Sequence, residues 1–105
     1  MKPAQRRKRF NLLERHGCVV CRREYGVHTP PEIHHLKGHP WSGMGMRASD
    51  KFTIPLCPVH HRHGSRATGD VGYHQSPAEF ERRYGSQAFL LRQIEDWIQM
   101  EDTVK

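Results

Sequence analysis

Three cysteines and one histidine occur in two pairs that have the same spacing. Two residues separate Cys18 from Cys21, and two separate Cys57 from His60, with 35 residues between the pairs. Thiolates spaced this way on a turn can both face one tetrahedral ion, so the four side chains predict a structural zinc site. The alternatives are a redox-active cysteine pair or unliganded cysteines in the core. A redox pair of the thioredoxin type needs a strand–helix–strand context, which this sequence lacks.

Four of the other histidines form a second group. His34 and His35 are neighbours on a predicted strand, His61 directly follows His60, and His74 lies further along the chain. Neighbouring side chains on a strand point to opposite faces, so one of the first pair can hold a metal while the other takes a different role. A lone histidine here would be interpreted as a surface residue. Two adjacent pairs that frame one strand–loop–strand unit instead favour a site.

Short elements of a small chain must position these side chains. The protein has 105 residues, of which 35% are hydrophobic, and its mean hydropathy is −0.84, so we expect a thin core. Chains of this size often need a metal or disulfides to fold. The pattern predicts a helix at about 4–15, ended by Gly17, with a tight knuckle at 18–21 directly after it. Two short strands are predicted, over 32–37 and 52–56.

Glycine, proline and apolar spacing predict the remaining segments. Residues 38–50 hold three glycines and one proline, which indicates an irregular loop, and 58–63 can start a short helix. Residues 76–79 (S-P-A-E) form a capping box that opens a helix ended by Gly85. Ser86 can cap a final helix. The apolar stripe of that helix consists of Leu90, Ile94, Trp97 and Ile98. The order of elements predicts an α+β fold with a small sheet.

Positive charge is concentrated at the N-terminus. The first 25 residues hold eight Lys or Arg and two acidic residues, and the whole chain has a formal net charge of +6. The densest cluster consists of Arg6, Arg7, Lys8 and Arg9. Such a cluster can neutralise phosphates and release their counterions, which predicts contact with nucleic acid. A solvated helix face or a basic tail is the alternative. Basic residues near the histidines that are also candidates for phosphate contacts include Lys37, Arg47 and Arg62.

Composition excludes several other classes of protein. No apolar run approaches the ~20 residues that a membrane span needs, so no membrane insertion is expected. The N-terminal residues lack the apolar stretch of a signal peptide. Three cysteines cannot form a complete disulfide framework. We therefore expect a protein that acts inside the cell, and the sequence leaves its oligomeric state open.

The joint order of these motifs resembles a known family. Residues 33–36 (I-H-H-L), a loop, and residues 54–61 (I-P-L-C-P-V-H-H) resemble the HNH, or ββα-metal, endonucleases, and the cysteine pairs match zinc-stapled members. The arrangement most resembles the phage recombination-enhancement (Ref) nucleases, which are RecA-dependent. In that family a downstream histidine precedes an F-E-x-x-Y/H-G helix, as His74 precedes residues 80–85 (F-E-R-R-Y-G) here. The resemblance runs from about Gly17 to Ile98.

The resemblance implies a fold and an activity. The fold would be a small zinc-stapled ββα-metal (HNH, or His-Me finger) core with flanking N-terminal and C-terminal helices. Residues 1–15 would be a basic helix or arm, and residues 16–105 the nuclease domain with its C-terminal helices, in a single domain overall. The activity would be metal-dependent hydrolysis of DNA phosphodiester bonds. The active-site metal would be Mg²⁺ or Mn²⁺, with Zn²⁺ as an alternative occupant.

The same resemblance assigns roles to individual residues. His35 would be the general base, and His34 and His61 would bind the active-site metal, with His74 completing that site. The middle asparagine of HNH enzymes has no counterpart, because the only asparagine, Asn11, lies far upstream. The nearest candidate for that position is Asp50, which would orient the base or hold the metal.

Partners and origin follow only from the resemblance. It implies DNA as substrate, a recombinase (RecA) filament as partner, a phage or prophage origin and the cytoplasm of a bacterial host cell. The long basic disordered arm of the phage Ref proteins is replaced here by a short basic start. The alternative functions are a non-catalytic zinc-stabilised nucleic-acid-binding module and a zinc module for protein interaction. Neither alternative explains why histidines cluster beside the cysteine pairs.

Overall fold

The computed structural model describes residues 1–43 and 46–103, which form a small α+β fold. The four α-helices in these ranges are α1 (Pro3–His16), α2 (Val19–Tyr25), α3 (Pro77–Tyr84) and α4 (Gln87–Thr103). The other elements are strand β1 (Glu32–His35), strand β2 (Thr53–Leu56) and a π-helical turn (Val59–His63). The predicted α+β class with a small sheet is confirmed. The loop predicted at 38–50 has no regular element in its described part, and residues 44 and 45 lie outside that part.

The sheet gives the two histidines of β1 opposite environments. β1 and β2 are antiparallel, with His34 opposite Ile54 and His35 opposite Thr53. His34 is buried together with Leu36, whereas His35 between them is half-buried, which is the alternation of a strand with one covered face. All four residues of β2 are buried, because α1, α2 and α4 pack against it. The strand pair therefore presents one histidine to the core and its neighbour to the outer face.

The junction between α1 and α2 differs from the prediction. The helix predicted at 4–15 is present and extends one residue further at each end. Gly17 ends it with φ +76°, and a Cβ there would lie 2.7 Å from Cδ2 of His28, so this position needs glycine. The knuckle prediction was wrong, because the cysteine pair lies at the start of α2. Cys18 is the N-cap, and its sulfur accepts the N–H of Cys21 at 3.4 Å.

The capping box predicted for α3 is only half formed. Ser76 Oγ accepts the N–H of Glu79 at 3.4 Å, as predicted. The return bond is replaced, because the Ser76 N–H donates to the carbonyl of Gly72 at 3.1 Å. The carboxylate of Glu79 is therefore free to pair with Arg82 and Arg83 on the next turn of the helix.

The core lies between the sheet and the four helices. Of the stripe predicted on α4, Leu90 and Ile94 are fully buried, and Trp97 and Ile98 pack against the core while partly exposed. The other large core side chains are Leu13, Val19, Val20, Leu36, Ile54, Leu56 and Phe80. None of the helices within the described ranges combines the length and hydropathy of a bilayer-crossing segment.

Candidate metal centres and active site

The four side chains of the predicted zinc site lie together in the core. Cys18 and Cys21 come from the start of α2, Cys57 follows β2, and His60 is in the π-helical turn. The Cys57 Sγ–His60 Nδ1 distance is 3.3 Å, and the Cys21 and Cys57 sulfurs are 3.7 Å apart. A tetrahedral zinc with Zn–S bonds of ~2.3 Å requires sulfurs roughly 3.8 Å apart, so the donors fit that ion. This buried Cys₃His group can bind a metal such as zinc.

Asp70 orients the histidine of this group, although no sequence motif pointed to it. One of its carboxylate oxygens lies 3.1 Å from His60 Nε2, which leaves Nδ1 facing the sulfurs. Burial raises the pKa of the Asp70 carboxyl, but hydrogen bonds from Thr68, Tyr84 and Tyr25 outweigh burial and hold that pKa below its usual range. Asp70 is therefore a permanent anion beside the ring, as is common for histidines that bind zinc.

The second histidine group also converges on one point. His34 comes from β1, His61 from the π-helical turn and His74 from the turn before α3, and one ring nitrogen of each lies within 4.8 Å of the others. We call these three residues the histidine triad. The His74 N–H donates to the carbonyl of His61 at 3.0 Å, and the Tyr73 N–H donates to the carbonyl of His60 at 2.8 Å. The segment predicted as a short helix is thus a π-helical turn that supplies one ligand to each group.

The histidine triad has the properties of a cation-binding site. Burial lowers the pKa of His34 to about 3 and also lowers that of His74, so both rings are neutral at physiological pH. Nδ1 of His34 is buried and has no hydrogen-bond partner among the described residues, while its Nε2 lies 3.0 Å from Gln87 Oε1. His61 Nδ1 lies 2.8 Å from Glu32 Oε1, which leaves Nε2 for a ligand. A buried donor atom without a partner, among neutral imidazoles, fits a divalent metal ion.

His35 lies on the opposite face of β1 and pairs with Asp50. The distance from His35 Nε2 to Asp50 Oδ1 is 2.8 Å, and this hydrogen bond lowers the pKa of Asp50. The Thr53 hydroxyl donates to the carbonyl of Asp50 at 2.7 Å and fixes the turn that carries it. A carboxylate only accepts hydrogen bonds, so whenever the ring of His35 carries a single hydrogen, that hydrogen is on Nε2 and the lone pair is on Nδ1. Asp50 therefore lies beside His35, the residue expected to be the base, and is not a member of the histidine triad.

Several of the predicted phosphate-binding residues surround this pair. Arg6 of α1 lies 3.8 Å from Asp50 Oδ2, and Arg47 lies 3.7 Å from Asp50 Oδ1. Both guanidinium groups are at least half exposed, so a phosphate can reach them. The exposed residues that share this positive character are Arg7, Lys8 and Lys37.

Two other predicted phosphate-binding residues have partners within the protein. Arg9 donates to the Thr53 hydroxyl at 3.0 Å and to its carbonyl at 2.7 Å, and it also pairs with Glu95. Its side chain is only 12% exposed, so it ties α1 to β2 and α4 instead of facing solvent. Arg62 donates to Glu32 Oε2 at 2.7 Å, but remains 57% exposed.

The sequence matches one known protein family along most of its length. The sequence model of a family described as "Recombination enhancement, RecA-dependent nuclease" matches residues 2–99. The chain belongs to this family. The match includes both metal-ligand groups and the His35–Asp50 pair. The description of this family names a nuclease, recombination and a dependence on RecA.

A shorter similarity connects the chain to YdfU, an uncharacterized protein of Escherichia coli (strain K12). The two are 41% identical over 58 residues, which is 55% of this chain and 14% of YdfU. The chain thus matches a small part of that relative's length. This similarity adds no activity to what the family match indicates.

Proposed function

We propose that the protein is a metal-dependent HNH endonuclease that hydrolyses DNA phosphodiester bonds. The observation that carries this proposal is the arrangement of β1. One face holds a buried imidazole of the histidine triad, and the other holds His35 paired with a carboxylate. A metal-binding group and a general base are the two parts that phosphodiester hydrolysis needs most. Membership of a nuclease family supports the same conclusion.

In the proposed reaction His35 accepts a proton from the attacking water. Asp50 holds the Nε2–H, so the lone pair of Nδ1 is available for that proton. Asp50 also stabilises the imidazolium that forms, because its carboxylate stays ionised. The aspartate would thereby replace the middle asparagine of HNH enzymes.

The histidine triad would hold the active-site metal through His34, His61 and His74. A divalent ion bound there would neutralise the scissile phosphate and the leaving 3′ oxygen. Mg²⁺ or Mn²⁺ is proposed for the working enzyme, with water and phosphate oxygens supplying the remaining ligands that these ions prefer. Zn²⁺ is the alternative occupant, because imidazole suits zinc better. The Cys₃His group would hold a separate structural zinc.

The basic side chains would bind the DNA backbone around the base. Arg6 and Arg47 are the best placed, because their guanidinium groups lie 3.8 and 3.7 Å from the carboxylate of Asp50. Binding of a phosphate would draw these guanidinium groups from the carboxylate without breaking a close hydrogen bond. Lys37, at the end of β1, and the exposed face of α1 would extend the contact.

The finer fold and the setting are also proposals. β1, β2 and the π-helical turn would form the ββα-metal core, with the turn in place of the usual helix. The host would be a bacterial cell, with a phage or prophage as the source, and the reaction would take place in the cytoplasm on DNA bound by a RecA filament.

A paired nuclease assay tests the proposal. Wild type and His35→Ala are incubated with single-stranded and supercoiled DNA in Mg²⁺, Mn²⁺ or EDTA, with and without a RecA filament. His63→Ala serves as a matched control, because His63 is exposed, follows His61 by two residues, and within the described part of the chain its ring contacts the carbonyl of Gly64 and no member of the histidine triad. We expect metal-dependent cutting that His35→Ala lowers by at least about 100-fold and the control leaves unchanged. Cutting by His35→Ala at the wild-type rate would remove the base from the mechanism. DNA binding without cutting in every lane would favour the non-catalytic module.

A further inference from the structure

The side chain of Gln87 is held between β1 and the histidine triad. Gln87 is the first residue of α4 and is 5% exposed. Its Oε1 accepts the backbone N–H of Lys37 at 2.8 Å, and its Nε2 donates to the backbone carbonyl of Lys37 at 2.9 Å. Both ends of the amide are thus bound by the two backbone groups of a single residue.

This double contact fixes which end of the amide is the oxygen. If the amide were turned by 180°, its NH₂ would face the N–H of Lys37 and its carbonyl would face a carbonyl. Both hydrogen bonds would be lost in a buried place, so only one orientation is satisfied. The atom that faces Nε2 of His34, at 3.0 Å, is therefore the oxygen Oε1.

The orientation of the amide determines the hydrogen position on His34. An amide oxygen only accepts, so the 3.0 Å contact requires a hydrogen on His34 Nε2. A neutral imidazole carries one N–H, so the lone pair must be on Nδ1. That atom is the buried one without a hydrogen-bond partner among the described residues, and one ring nitrogen of His34 lies within 4.8 Å of ring nitrogens of the other two members of the histidine triad.

We propose that Gln87 is a positioning residue of the histidine triad: it holds His34 in the tautomer whose Nδ1 binds the metal. The assignment rests on the proposed function, because it presumes that the triad binds metal. Glu32 has the corresponding place at His61, where it contacts Nδ1 and leaves Nε2 for the ion. A carboxylate at position 87 could accept from His34 but could not donate to Lys37, which accounts for a neutral amide there.

Two substitutions separate positioning of His34 from support of Lys37. Gln87→Glu keeps an acceptor for His34 and for the Lys37 N–H but loses the bond to the Lys37 carbonyl. Gln87→Met loses all three contacts. Both variants therefore lose the hydrogen bond to the Lys37 carbonyl, whereas only Gln87→Met also removes the acceptor from the ring of His34. Gln93→Met on the same helix is the matched control, because its partner is Arg23 on α2.

The test uses full-length protein that retains metal in the Cys₃His group and is stripped of it at the histidine triad. Nitrogen NMR of the histidine rings in wild type should show the His34 hydrogen on Nε2. Calorimetric titration with Zn²⁺ alone should show that Gln87→Met binds about 10–100-fold more weakly than wild type. The same NMR experiment should show that His34 in Gln87→Met populates both tautomers. Gln87→Glu should keep the wild-type tautomer and bind at least as tightly as wild type.

Other results overturn the assignment. A wild-type hydrogen on Nδ1 would do so directly, as would Gln87→Met with unchanged tautomer and affinity. If Gln87→Met fails to fold, the wild-type spectrum and Gln87→Glu decide, and a changed tautomer in Gln87→Glu would count against the assignment. Failure of the proposed function can be distinguished from failure of this assignment. A wild-type protein with the expected tautomer and Zn²⁺ affinity that cuts no DNA would refute the nuclease and leave the role of Gln87 intact.

Discussion

Replacement of Cys57 by serine should unfold the protein, because a zinc ion in the Cys₃His group would join three elements of a small fold with a thin core. The Cys₃His group connects the start of α2, the end of β2 and the π-helical turn. Structural zinc contributes an apparent ~10–16 kcal/mol in small zinc domains. The whole free energy of unfolding of a domain this size is about 5–15 kcal/mol. Loss of the zinc therefore removes as much free energy as the fold has.

The measurement is thermal unfolding by circular dichroism together with zinc content. Cys57→Ser should lose cooperative unfolding and bound zinc, and excess chelator should do the same to wild type. Val59→Ala is the matched control, since Val59 packs on the same core without offering a ligand, and it should cost only about 1–2 kcal/mol. A Cys57→Ser protein that stays folded with one equivalent of zinc would refute the assignment of this ligand.

Three further perturbations have defined outcomes. Asp50→Ala should lower the cleavage rate up to about 100-fold, whereas Asp50→Asn should retain most of it, because an amide oxygen can still accept from the base; equal losses in a steady-state assay would contradict this. His34 has a folded-state pKa of about 3, below its unfolded value, so its contribution to stability is complete above pH 6.5 and lost as pH falls. Without metal at the triad, that loss should reach about 3 kcal/mol at pH 4, and His34→Gln should flatten the pH dependence of the melting temperature. Gly17→Ala should destabilise by about 1–3 kcal/mol more than Gly26→Ala, since both have positive φ but only the first Cβ would strike His28; equal melting temperatures would refute the steric argument.

Local patterns in the sequence predicted the residues of the Cys₃His group, whereas the resemblance to HNH nucleases placed His34, His61 and His74 in a second group. The two-residue spacing of Cys18–Cys21 and Cys57–His60 is a local signal, and the structure brings all four side chains together. The alternation of β1 likewise predicted that His34 and His35 would face opposite ways. Predictions of this kind hold in the folded structure because they depend only on residues that are close together in the chain.

Contacts between distant segments could not be predicted in this way. Asp70 and Gln87 act on histidines 10 and 53 positions away, and neither belongs to a recognisable motif. The helix after Cys18 was missed because Val19 and Val20 have low helix propensity, and their burial in the core overrides it. Arg9 was grouped with its basic neighbours because charge alone does not tell which face of a helix packs inward.

The pairing of β1 with β2 determines which environment each of the two neighbouring histidines occupies. Side chains on a strand alternate with a period of two, so a slip of β1 by one residue would exchange the environments of His34 and His35. The proposed ligand His34 would then face Asp50, and the proposed base His35 would be buried among the other imidazoles. Both residues would still be present, yet each would occupy the place of the other. The Cys₃His group sits at the end of β2 and Asp50 precedes its start, so the strand that defines the alignment is anchored at both ends. Which of the two histidines can take the proposed role of ligand and which that of base is therefore a property of strand alignment as much as of residue type.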